Sequence, residues 1–159
     1  MYAATVFSAL VATLALLNGA DAHGYVSSPK ATATGGSTYT SFSAEFTAAQ
    51  VGNAAFNGKP FNRSPQQNAQ EFTTAFKASG IKDLKTIIDA KVTGCGKTDP
   101  NGPVQDVSNL KTMDFQNNEY KEGFLGSHEG PCEVWIDNTR VFQDDNCAKN
   151  YKSYPAKLP

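Results

Sequence analysis

Apolar and polar positions alternate in the second half of the chain: Met113 and Phe115 with Thr112 and Asp114, and Cys132, Val134 and Ile136 with Glu133, Trp135 and Asp137. A period of two predicts half-buried strands with one apolar and one polar face. Asp137-Asn138-Thr139-Arg140 carries turn chemistry, so Val141 and Phe142 are expected to return antiparallel and close a hairpin. Residues 43–92 follow another rhythm. Phe46, Ala49 and Phe56, then Phe72 and Phe76, then Leu84, Ile87 and Ile88 recur at three- and four-residue spacings, which predicts short helices. Breaks at Gly58-Lys59-Pro60 and Ser79-Gly80 divide them into pieces too short for a bundle core, so they read as insertions on another scaffold. Gly24-Tyr25-Val26-Ser27-Ser28-Pro29 is expected to form a strand or extended arm. Residues 31–43, rich in Thr, Ser, Gly and Ala, and residues 94–103 read as surface loops. The final run, from Tyr151 to Pro159, reads as a loop rather than a closing strand. The pattern as a whole is mainly β, with short helices in a long loop region.

The longest apolar run, residues 6–17, lies apart from this pattern. It is too short to cross a bilayer comfortably, has the length of a secretory apolar segment, and is followed by Ala20-Asp21-Ala22, a small-residue cleavage pattern. Residues 1–22 therefore read as a signal peptide removed on secretion, and residues 23–159 as one extracellular domain beginning at His23. With 40% hydrophobic and 18% charged residues the chain can bury a core and is not a disordered polymer. The 14 basic and 15 acidic residues exclude a chain built to grip phosphate backbones; loss of Asp21 leaves the mature domain formally neutral. No nucleic acid, and no membrane after signal cleavage, is expected as a partner, and a monomer is expected. Three cysteines, Cys95, Cys132 and Cys147, would meet an oxidising compartment. Three single-bridge pairings are open to them, Cys132 and Cys147 being nearest along the chain. Asn62-Arg63-Ser64 is a formal glycosylation site, disfavoured by Pro65.

The chain has two histidines, and cleavage places one of them at the mature terminus. An N-terminal histidine offers its α-amine and its ring nitrogen to the same metal ion. A second ring, from His128, would complete a three-nitrogen set in one plane, which suits copper better than the closed tetrahedron of structural zinc. Taken singly, His23 is a frayed terminus and His128 an ordinary surface histidine; the cleavage position is what links them.

His23-Gly24-Tyr25-Val26 at one end, and Ser127-His128-Glu129-Gly130-Pro131-Cys132-Glu133-Val134-Trp135 continuing to Asp144-Asp145-Asn146-Cys147 at the other, resemble the lytic polysaccharide monooxygenases. The likeness is greatest to the small pectin-active family described from oomycetes. It spans the mature chain, but only its two ends carry specific motifs. The resemblance implies an immunoglobulin- or fibronectin-like β-sandwich with one copper ion held by the amine and ring of His23 and the ring of His128. These two residues are then both the metal ligands and the catalytic residues. It further implies an external electron donor, dioxygen or hydrogen peroxide as co-substrate, and oxidative cleavage of a plant cell-wall polysaccharide, with pectic homogalacturonan favoured. Family members also place an axial aromatic on a strand after the second histidine. Neither Tyr151 nor Tyr154 is assigned that role, and a missing C-terminal strand would account for both the absent aromatic and the odd cysteine.

Other candidates are weaker. Asp144-Asp145-Asn146 lacks the further carboxylate spacing of a calcium loop and reads as a turn. Trp135 and Tyr25 have the chemistry to stack on sugars, with core packing the safer reading for Trp135. Glu129 and Glu133 flank the second motif without the cleft geometry that hydrolysis needs. Lys30, Lys59 and Arg63 are candidates for a local basic patch. The competing functions are a non-catalytic extracellular copper- or carbohydrate-binding protein that keeps the two histidines, and a metal-free structural or host-interaction protein.

Overall fold

The computed structural model describes residues 24–34, 45–95 and 98–159. Residues 1–22, expected from sequence to be a signal peptide, together with His23 and residues 35–44 and 96–97, lie outside them. Among the described residues, five strands form two antiparallel sheets accompanied by a few short helices, with no barrel. β1 (Tyr25–Ser28), β2 (Met113–Gln116) and β5 (Ala156–Leu158) form one sheet with β2 central. Its register sets Tyr25 opposite Gln116, Val26 opposite Phe115, and Met113 opposite Leu158. β3 (Cys132–Ile136) and β4 (Thr139–Asp144) form the hairpin expected from their alternation. Its turn is Asp137-Asn138, with Asp137 in the left-handed region at φ 51°. Asp tolerates that region better than most residues.

The C-terminal run departs from expectation. Ala156 and Leu158 are buried at 0% and 2% exposure, and Lys157 between them points its ammonium to Asp114 of β2 at 2.9 Å. Three alternating residues between two prolines form a strand because β2 offers a free edge and the two apolar side chains gain burial there. Gly123 packs against this strand so tightly that a Cβ on it would lie 2.5 Å from the Cβ of Ala156.

The helical region holds short elements where the spacing placed them. Two 3-10 turns, Ala48–Val51 and Ala54–Phe56, precede α1 (Pro65–Ser79) and α2 (Leu84–Asp89). Ser64 and Gln67 form a reciprocal capping box at the start of α1, Pro65 fits the first helical turn, and Gly80 ends it at φ 73°. That cap engages the Ser64 hydroxyl of the formal glycosylation site. These pieces, read as insertions from the sequence, also pack on one another. Phe56, Ala75 and Ile87 form a buried cluster with Phe46, Phe61, Phe72 and Phe76 packed around it. Phe72 is the hub, its ring centroid 5.4 Å from Phe56, 6.1 Å from Phe61 and 5.9 Å from Phe76. No single piece makes a core, but together they do. Ile88 is left exposed.

The two regions are joined through Glu133. Its place in the alternation predicts a solvent-facing side chain, yet that side chain is 3% exposed. One carboxylate oxygen accepts from the backbone N–H of Leu84 at 3.0 Å and from the indole Nε1–H of Trp135 at 2.8 Å; the other accepts from Arg140 at 2.8 Å. The polar face of β3 is covered by α2, whose first N–H groups welcome a negative charge. Trp135 is consequently half-buried with a hydrogen-bonded ring and lies outside the buried core, which corrects the core reading.

Candidate functional site

His128 sits in an exposed loop between β2 and β3 that is tied down on both sides. Downstream, Glu129 accepts from the Asn146 side chain at 2.7 Å, and the Gly130 carbonyl accepts from the N–H of Cys147 at 3.0 Å. Cys132 and Cys147 are disulfide-bonded with Cα atoms 6.0 Å apart, which selects one of the three open pairings and leaves Cys95 as an exposed thiol. Asn146 also caps the short helix α3 (Cys147–Asn150), and Asp144 accepts from its N–H at 2.6 Å. The acidic run therefore serves as a turn and cap. Upstream, the N–H of His128 donates to the Leu125 carbonyl at 2.9 Å, and Phe124 stacks on Phe115 of β2 with ring centroids 4.8 Å apart.

The same Phe115 ring receives the N-terminal motif. A Cβ on Gly24 would lie 2.4 Å from Phe115 Cζ, an approach only glycine permits. Gly24 is buried, and Tyr25 after it is anchored through its hydroxyl, which accepts from Asn118 at 2.8 Å and Gln116 at 3.1 Å. Tyr154 donates to the side-chain oxygen of the same Asn118 at 2.9 Å, so the C-terminal segment shares this polar network. Tyr151 instead packs edge-on against Phe142. Of the two sequence-predicted ligands, His128 is therefore placed, and His23 lies one residue before the described Gly24. Phe115, Phe124 and Asn118 were not singled out from sequence. The sequence signals were Phe115 within the alternating strand and an aromatic four residues before His128; Asn118 had none.

Among the described residues, His128 offers one ring nitrogen with the chemistry of a metal ligand. His128 Nδ1 lies 2.9 Å from Ser127 Oγ, and no other partner of the ring is found among the described residues, so Nε2 is available. Desolvation by the surrounding chain lowers the ring's pKa from its ordinary 6.5, favouring the neutral form that binds metals. Among the described residues, which exclude His23, no three His, Cys, Asp or Glu side chains cluster to hold a metal. The carboxylates flanking His128 are engaged elsewhere, Glu129 by Asn146 and Glu133 by α2 and Arg140. Lys59 of the candidate basic patch is paired with Glu71 at 3.6 Å. No described helix is long and apolar enough to cross a membrane. Neither a protein-family model nor a curated protein matches the chain.

Proposed function

We propose that the mature protein is a secreted copper-dependent lytic polysaccharide monooxygenase acting on a plant cell-wall polysaccharide, pectic homogalacturonan in the first instance. The observation that supports this reading is an aromatic pair between the start of the first strand and the chain that leads into the His128 loop. Gly24, which follows His23, rests on Phe115, and Phe115 stacks on Phe124, four residues before His128. The α-amine and ring of His23 and the ring of His128 would hold the ion. Copper bound there, supplied with an external reductant and dioxygen or hydrogen peroxide, furnishes the oxidising chemistry that breaks a glycosidic linkage.

The chain's own part is positioning. Ser127 fixes the orientation of the His128 ring through Nδ1, an outer contact of the kind that sets which nitrogen faces a metal. The disulfide and the Asn146 cap hold the loop from below, and the exclusion of a side chain at position 24 keeps the first strand close against β2. The two antiparallel sheets are read as parts of an immunoglobulin-like sandwich. The Cys132–Cys147 bridge supports secretion, since such bridges persist in oxidising compartments.

The test is product release. Copper-loaded protein beginning at His23, incubated with ascorbate and pectin, cellulose or chitin, should release oxidised oligosaccharides detectable by mass spectrometry, pectin giving the largest yield. Copper binding with no oxidised product from any of the three would favour a non-catalytic binding protein.

A further inference from the structure

Asn146 and Cys147 hold the chain that follows His128 at three points. The Asn146 side-chain amide donates to Glu129 at 2.7 Å, the backbone N–H of Cys147 donates to the Gly130 carbonyl at 3.0 Å, and Cys147 is bridged to Cys132. Reach separates their effects. An extended chain advances roughly 3.3 Å per residue, so the bridge at Cys132 alone leaves His128 free over roughly 13 Å, whereas a contact at the adjacent residue leaves one step of about 3.8 Å. The Gly130 contact lies between these two, on the residue type with the least restrained backbone. Upstream, the N–H of His128 is already tied to the Leu125 carbonyl. Glu129 is therefore the point at which the histidine is fixed from downstream.

An asparagine amide suits this task because it accepts at one end and donates at the other. Asn146 Oδ1 accepts from the N–H of Lys149 at 3.2 Å as the cap of α3, which turns Nδ2 toward Glu129. Asp144 steadies the arrangement, accepting from the Asn146 backbone N–H at 2.6 Å and from the Asn150 side chain at 2.9 Å. Aspartate caps a helix as well as asparagine does but has no proton to give a carboxylate. The cap alone does not call for asparagine; the bond to Glu129 does.

We propose that Asn146 is a positioning residue for His128: its side-chain amide, oriented by the cap of α3, pins Glu129 and thereby fixes where the His128 ring stands. The proposal rests on the reading of His128 as a metal ligand, while the tether itself belongs to the metal-free chain. Replacing residues that orient a metal's ligands typically costs about 10–100-fold in metal affinity.

The test reverses the polarity of the pair. Asn146→Asp keeps the cap, removes the donor and sets two carboxylates against each other; adding Glu129→Gln supplies a donor from the opposite side. Copper titration of the chain beginning at His23 should show affinity about tenfold weaker in Asn146→Asp and restored to within about twofold of wild type in the double variant. Amide hydrogen exchange on the metal-free proteins is the second readout. The N–H groups of His128 and Cys147 should exchange about tenfold faster in Asn146→Asp and regain protection in the double variant, while that of Phe56 in the helical core is unchanged. Unchanged copper affinity in Asn146→Asp, or a loss that the double variant does not recover, would overturn the proposal. Faster exchange at Phe56 as well would also overturn it, by making Asn146 a residue of general stability. A wild-type chain that binds no copper removes the metal reading, and the exchange pattern alone then decides the tether.

Discussion

The helical region from Phe46 to Ile88 turns its aromatic side chains inward onto one another, whereas the β3–β4 hairpin buries a glutamate and leaves Val141 and Ile136 in solvent. The first is held by contacts between neighbouring short elements, and the second by anchors distant in sequence: a disulfide to α3 and a carboxylate against α2. The difference teaches where stability and binding are separated in this chain. Side chains that satisfy each other are free to be purely structural. The hairpin's apolar side chains Ile136 and Val141, by contrast, stay exposed among the described residues.

The strongest way to break this contrast is at Phe56. It is fully buried at the centre of the aromatic cluster, so Phe56→Ala should cost about 3–5 kcal/mol, read as a lowered midpoint in chemical denaturation. A loss below about 1 kcal/mol would mean that the helical region does not carry the core. Glu133→Gln tests the link between the regions. It keeps the shape but removes the charge facing Arg140 and the start of α2, and about 1–3 kcal/mol is expected to be lost. If that substitution leaves the denaturation midpoint unchanged, the buried carboxylate is incidental.

The smallest effect concerns the sheet. Lys157, followed by Thr112, holds the Asp114 carboxyl below its ordinary 3.8 by hydrogen bonding to the charged form. A depressed folded pKa contributes stability that is complete above the unfolded value and fades as pH falls through the folded one. Asp114→Asn should therefore cost up to about 1 kcal/mol near neutrality, with wild type and variant converging below pH ~3.8. A constant gap across that range would remove the ion pair from the account.

The hairpin was legible because alternation and the Asp137-Asn138 turn agree with each other, and the helices because their apolar spacing is interrupted where the chain breaks. β5 was not, since three residues between prolines carry too short a period to distinguish from a loop until β2 supplies a partner. Burial of Glu133 was likewise hidden: alternation assigns faces but not what covers them. At the site, sequence supplied His128 and the neighbourhood of His23, while the stack of Phe115, which Gly24 approaches, on Phe124 arises only from folding.

The central claim is that one copper ion is shared by His23 and His128. Its most direct measurement is copper titration of protein with a free His23 amine, compared with His128→Ala and with a chain carrying one added residue before His23. The account predicts one tight site per chain, weakened by at least about a hundredfold in either altered protein, as expected when one nitrogen ligand is removed or displaced. Equal copper affinity in all three proteins would contradict it.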